Sequence, residues 1–381
     1  MWMGLYWMNS TTEKKNYLVN KYVRRFFLVC IFILLTMYII FDVYSLGNDF
    51  TVGMVMLGSH SDDARSQMNH EKMEIACEEM NVRLIVEEYV DESWESSVQA
   101  VKRLDEKGAN AIVLDSTCYA NHVARLSAQY PEIVFFCNNT GSVEDIECAT
   151  YSPRLYQVRY LAGILAGLET TTGKIGYVAA MENPEVNRGI NAFTLGVKSV
   201  RKDAEVIVCF TDSWNDTDKE TKLTTDLIEK EKVDIVTYHQ DGDTVAEIAE
   251  KYQVKYIAFH EYKETYSEKC LAVVKENGEQ VYKEILKDCL NGYCKKSDRY
   301  WFGLEKNAVE LQFCSDVVSD EIKVKIRETE QRLLEHRDVF SGKIKDNQGN
   351  LICAEDETIS DEMLFYRCTW LAEGVRVYGE K

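Results

Sequence analysis

From Asp49 onward, short apolar runs alternate with longer stretches in which apolar residues recur every three to four positions. That is the pattern of strands joined by amphipathic helices. Strands are predicted at 51–57, 82–88, 111–115 and 133–137, and a second series follows at 174–180, 204–211, 233–239 and 254–260. Within each series the starts are spaced roughly thirty, thirty and twenty residues apart. A single sandwich or barrel would not produce two such similar series of βα units, so the pattern predicts two α/β lobes of like topology, each a parallel sheet with helices on both faces.

Between the series, YQVRYLAGILAGL (156–168) reads as a helix whose Ala162, Gly163, Ala166 and Gly167 permit close approach to a neighbour. After the second series come one more strand (270–275), a helix (279–290) and YWFGLEKNAVELQF (300–313), with a turn expected at Glu305-Lys306-Asn307. A charged helix spans 319–339, and Asp346 to Asn350 reads as a hairpin turn. With three prolines in 381 residues, no proline-rich linker separates the lobes.

A different pattern precedes the body. Phe26 to Phe41 is an apolar run broken by Thr36, and extended to Tyr44 it reaches nineteen residues, about 28 Å as a helix. Lys14, Lys15, Lys21, Arg24 and Arg25 against Glu13 give the first 25 residues a net charge of +4. The expectation is a cytoplasmic basic head (1–25), a transmembrane anchor or signal segment (26–44), and a binding body (50–381) outside a single-pass plasma-membrane protein. A cleaved signal peptide is the alternative, against which stands the absence of a small-x-small site after Phe41.

Charge narrows the function. With 44 Lys and Arg against 63 Asp and Glu the chain carries −19, which argues against nonspecific binding to nucleic acid. Twelve cysteines form no metal-ligand spacing, and their usual place is as small buried hydrophobes; Cys289 and Cys294, flanking Leu-Asn-Gly-Tyr, could pair. No Gly-x-Ser-x-Gly, phosphate-binding glycine loop or His-Glu-x-x-His is present, so the Asp and His residues at strand ends are read as hydrogen-bonding groups and the protein as a non-enzyme without cofactor or metal. In such sheets a ligand sits beyond the carboxyl ends of the strands. Those ends are 58–67, 115–119, 138–141, 181–188, 211–216, 238–243 and 260–262, rich in Asp, Asn, Ser and Trp.

Seven segments carry a resemblance: 150–167, 173–200, TDSWNDTDKE (211–220), YHQDGDT (238–244), YWFGLEKNAVEL (300–311), FSGKIKDNQGN (340–350) and DEMLFYRCTWLAEGV (361–375). In order over nearly the whole body, they resemble the basic membrane protein family, the solute receptors of ATP-driven importers. The resemblance implies a type-I periplasmic binding protein fold, a purine nucleoside or related base held between the lobes, and ABC permease and ATPase subunits as partners. It places lobe 1 at about 50–150 and 262–298, and lobe 2 at about 172–260 and 300–381. A membrane-tethered sensor on the same fold is the alternative, with an adhesive role behind it.

Carried over by position, the resemblance implies a first rim of Asp62, Asp63, Ser66 and Gln67, joined by Ser116 and Tyr119 from the third strand end. Family members commonly have an aromatic here to stack on the base; Arg65 and Ser66 stand in its place. On the second lobe it implies Asn183, Arg188, Trp214, His239, Asp241 and Glu261. Trp214 would cover a ligand face and Asp241 would accept from a donor, while Arg188 could instead pair with Glu185. Glu261 stands where the family usually has an Asp.

Overall fold

The computed structural model describes residues 25–26, 28–37, 50–61, 64–141, 143–144, 146, 148–314, 317–336 and 339–379. The first lobe is built on β1 (Thr51–Val55), β2 (Arg83–Glu87), β3 (Ala111–Leu114), β4 (Val134–Asn138), β5 (Ala149–Pro153) and β11 (Arg299–Phe302). Their order in the sheet is β11-β5-β4-β3-β1-β2, parallel throughout. Alternation sorts the strands' side chains to two faces. Met54, Val113 and Phe136 face one core with α1 (Ala64–Met80) and α8 (Gly278–Leu290), whereas Val55, Leu114 and Cys137 face the other with α2 (Trp94–Glu106) and α3 (Ala120–Gln129).

The second lobe contains β6 (Lys174–Ala179), β7 (Glu205–Phe210), β8 (Ile235–His239), β9 (Lys255–His260), β10 (Cys270–Glu276), β12 (Val309–Phe313) and β15 (Val375–Val377), in the order β12-β10-β9-β8-β6-β7-β15, with β13 (Ile344–Lys345) and β14 (Leu351–Cys353) pairing in a separate hairpin. Helices α4 (Tyr156–Glu169), α5 (Pro184–Val200), α6 (Thr217–Asp226) and α7 (Thr244–Tyr252) accompany it. The sequence predicts close packing of α4, and its backbone touches that of α5: a Cβ on Gly163 would lie 2.0 Å from the Phe193 carbonyl oxygen, and one on Gly196 2.1 Å from that of Tyr160. Only glycine fits either position without moving the backbone.

The expected pair of purely parallel sheets is corrected at one edge, where β12 runs antiparallel to β10. The cause is the path between the lobes. The chain leaves the second sheet after Glu276 and re-enters it at Val309, and the Asn277 N–H donates to the Ala308 carbonyl at 2.9 Å. Departure and return share one crossing point, so the two strands must run in opposite directions. Segment 278–302 thus visits the first lobe, with α8 against α1 and β11 beside β5, while β10, expected among 262–298 in the first lobe, pairs in the second sheet. With the passage from β5 to α4, three segments cross between the lobes.

The expected transmembrane helix is also corrected. Of 26–44 the structure describes helix at Phe26 and from Leu28 to Met37. Among the described residues no helix is long and apolar enough to cross a membrane. The single-pass plasma-membrane topology, the cytoplasmic N-terminus and membrane attachment through this helix are therefore not supported. Residues 38–44 and the head up to Arg24 lie outside the described residues.

Candidate functional site between the lobes

The carboxyl ends of both sheets meet at a cavity of about 400 Å³. The first lobe supplies Leu57 after β1, Arg65 on α1, Asp115, Ser116 and Thr117 after β3, and Asn138 and Thr140 at and after β4. The second supplies Met181, Asn183 and Glu185 after β6, Trp214 after β7 and Asp241 after β8. Three carboxylates, one guanidinium, two carboxamides and three hydroxyls surround the space, with Trp214, Met181 and Leu57 as its apolar surface. The formal charge of the lining favours a neutral or cationic molecule rich in hydrogen-bond donors.

Asp115 is the most elaborately held of these groups. Asn69 donates to Oδ2 at 2.9 Å, the Tyr151 hydroxyl to Oδ1 at 3.0 Å and the Tyr282 hydroxyl to Oδ1 at 3.4 Å. Burial pushes its carboxyl up to about 6 against the opposing pull of the Asn69 hydrogen bond, the Arg65 charge and the two tyrosines. Burial likewise raises Glu185, opposed by the Thr140 hydroxyl and by Arg188 and Arg65.

Arg65 reaches across the cleft and donates from Nη1 to Asp241 Oδ1 at 3.0 Å, linking α1 of one lobe to the β8 end of the other. Burial acts to lower its pKa, but Asp241, Glu276, Glu185 and Asp115 together raise it, so Arg65 is a cation at every working pH. The Asp241 N–H donates to the Trp214 carbonyl at 2.8 Å, which ties the two second-lobe rim residues together.

The residues singled out in the sequence separate into three groups. Ser116, Asn183, Trp214 and Asp241 line the cavity, and Ser66 lines an adjoining recess with Asn69, Asp115 and Asp241. Asn183 also caps α5, its Oδ1 accepting from the Val186 N–H at 2.9 Å, which fixes the direction of its side chain. Five others lie elsewhere. Tyr119 is fully buried and donates to the Val90 carbonyl at 2.5 Å. Gln67 is exposed and donates to Glu71 at 2.8 Å. Arg188 spends its guanidinium on the backbone carbonyls of Leu364 at 2.8 Å and Thr140 at 3.1 Å, joining the lobes as a structural donor. His239 is buried edge-on to Trp214 and Phe259, held neutral by burial and the neighbouring Arg159. Glu261 pairs with Lys72 at 3.5 Å beside a smaller side cavity. Asp62 and Asp63 lie outside the described residues.

Asp115, Asn138, Thr140 and Glu185 are cavity residues that sequence reasoning left off its candidate set. The signal for Asp115 was its position, the first polar residue after the apolar run AIVL. Asn138, Thr140 and Glu185 carry the same positional signal, since they fall on the strand ends 138–141 and 181–188, but which side chains of those ends line the cavity depends on the meeting of the lobes.

Two α/β lobes joined by three crossings, with a polar cavity between facing strand ends, define a type-I two-lobe ligand-binding protein. Solved structures share that fold: a transcriptional activator of the comK gene from Bacillus halodurans (TM-score 0.68, 22% identity, covering 75% of this chain and 98% of that one) and an ABC transporter solute-binding protein from Aeropyrum pernix K1 (0.62, 16%, 78% and 93%). At these identities they show the fold alone. The chain belongs to the family described as ABC transporter substrate-binding protein, PnrA-like, which matches residues 50–340. This is a family of binding proteins and not of enzymes. A purine-binding protein of Brucella abortus is 29% identical over 269 residues, 70% of this chain and 75% of its own length. A protein of Haloferax volcanii whose name gives it as an ABC transporter glucose-binding protein is 29% identical over 259 residues, 68% of this chain and 63% of its own length.

Proposed function

We propose that this protein is a solute receptor that closes its two lobes on a purine nucleoside or free base. The observation that carries the reading is the composition of the interlobe cavity: Asp115, Asp241 and Glu185 as acceptors, Asn138 and Asn183 as two-way amides, and the Trp214 ring as a face for a planar heterocycle. Purines present both ring donors and a π-face, and the name of the Brucella abortus relative supports the choice. A sugar would use the acceptors but has no planar ring for the indole. The reading rests on the cleft and on no membrane attachment.

Arg65 modifies the family pattern. Where a stacking aromatic is usual, a cation crosses the cleft to Asp241, so one wall of the base is covered by a guanidinium. An arginine plane can itself lie on an aromatic ring. Ligand entry requires the lobes to part, because the two rims touch through this ion pair, and binding shifts the population toward the closed form. The test is a thermal-shift screen of the purified protein against purine nucleosides, free bases, sugars and amino acids, followed by X-ray scattering with the best ligand. A purine is expected to raise the melting temperature and reduce the radius of gyration by about 0.5–1 Å relative to the open form. Stabilisation by a sugar or amino acid with no response to any purine would refute the ligand assignment.

A further inference from the structure

Segment 270–314 leaves the second sheet as β10, passes through α8 and β11 in the first lobe, and returns as β12. Four of the twelve cysteines fall on it, and they meet in pairs. Cys270, which opens β10, and Cys314, just past β12, stand side by side at the antiparallel edge: the Cys314 N–H donates to the Leu271 carbonyl at 3.2 Å, and the two thiols are in contact at 2.7 Å. Cys289, in the last turn of α8, and Cys294, after the Asn291-Gly292 turn, have thiols 3.2 Å apart. Gly292 has φ +68, a left-handed conformation that turns the chain back on the helix end. We infer that Cys270 with Cys314, and Cys289 with Cys294, are two sites of disulfide formation, the first of which closes the excursion between the lobes into a covalent loop.

The oxidant required is a small-molecule disulfide. In each pair one protein thiolate attacks the small disulfide and expels one small thiolate; the partner thiolate then attacks the protein-side sulfur and expels the second. The protein loses two electrons and two thiol protons, the small disulfide gains both electrons, and the protons end on the two expelled thiols. Access favours Cys314 over the buried Cys270, whereas Cys289 and Cys294 are both partly exposed. The hydrogen bond from Cys289 holds the Cys294 thiol below its usual pKa, which makes it the attacking sulfur of its pair. By contrast, Cys77, Cys137, Cys209 and Cys368 are buried in the cores, where burial pushes Cys77 and Cys209 up to about 12.

The Cys270 to Cys314 bond would tie together the strands from which the chain departs for the first lobe and to which it returns. The Cys289 to Cys294 bond would close the turn leading into β11. Cross-linking a loop of this length restricts the unfolded chain and raises the melting temperature, here by about 5 °C.

The experiment incubates the full chain with oxidised glutathione or with dithiothreitol, blocks remaining thiols with N-ethylmaleimide after denaturation, and maps the peptides without reduction. Linked peptides joining Cys270 to Cys314 and Cys289 to Cys294 are expected after oxidation, with Cys77, Cys137, Cys209 and Cys368 recovered as blocked thiols. The oxidised protein should melt about 5 °C higher than the reduced one. Most of that difference should vanish in Cys314→Ser. Recovery of all four paired cysteines as free thiols, or each carrying glutathione singly, would overturn the inference. So would an oxidised-minus-reduced difference that Cys314→Ser leaves unchanged. The peptide map of the unsubstituted protein decides the matter even if the variant fails to fold.

Discussion

The two walls of the cleft hold their central carboxylates in opposite ways. Asp115, on the first lobe, is fixed by neutral donors that belong to its own lobe: Asn69 on α1, Tyr151 on β5 and Tyr282 on α8. Asp241, on the second, is engaged by a cation from the facing lobe. The first arrangement is complete within one lobe and keeps its geometry when the lobes part. The second exists only when they meet. One carboxylate is thus preorganised for a ligand, and the other reports closure. Preorganised groups contribute more to affinity because less ordering is needed on binding.

That contrast predicts unequal effects of substitution. Asp115→Ala should weaken purine binding most, by about 2–3 kcal/mol or about 30–150-fold in Kd, since hydrogen bonds to a charged, partly buried acceptor are worth that much; calorimetric titration reads it. Trp214→Ala should remove the one aromatic face that the described residues give the cavity, at about 1–3 kcal/mol for base stacking, and should do so for every purine alike. An effect confined to one base would show that the indole reads an edge and not a face.

Acid should separate the walls further. The Asp115 carboxyl stands at about 6, so it is ionised at pH 7 and mostly protonated at pH 5. A ligand that donates to the carboxylate should bind about tenfold more weakly at pH 5 than at pH 7, and Asp115→Asn should flatten that dependence. For stability the sign is reversed. A raised folded-state pKa means the folded protein holds this proton more tightly, so the contribution of Asp115 is most favourable below about 4 and declines as pH rises through about 6.

The smallest effect is expected at Arg65. Its pair with Asp241 is partly exposed on both sides, at 39% and 24%, and such pairs contribute about 0.2–1 kcal/mol. Arg65→Ala should favour the open form, increase the radius of gyration of the ligand-free protein, and change affinity by about two- to fivefold. A loss as large as that from Asp115→Ala would mean that the cover the guanidinium gives the base, and not its pair with Asp241, sets its contribution.

The legibility of this molecule followed the range over which each feature is determined. Strands such as Ala111–Leu114 and Ile235–His239 are local apolar runs, and the sequence placed their ends to within a residue or two. Trp214 and Asp241 line the cavity because strand ends converge in this architecture, a rule readable without coordinates. β5, β11 and β15 were less legible: ATYSP, RYWF and VRV are short, and their strand state depends on a neighbour supplied from far along the chain. Tyr119 and Arg188 look like cleft residues in sequence, yet packing turns one inward to the Val90 carbonyl and commits the other to backbone carbonyls of both lobes. The apolar run at 26–44 shows the opposite error, where hydropathy alone predicted a span, and among the described residues no helix is long and apolar enough to cross a membrane.

The most direct test of the account is calorimetric titration of the unsubstituted protein and of Asp115→Ala with adenosine, guanosine, their free bases and glucose at pH 7. One saturable site for at least one purine, weakened about 30-fold or more by Asp115→Ala, is predicted. Saturable binding of glucose with no heat from any purine, or a purine affinity that Asp115→Ala leaves unchanged, would contradict it.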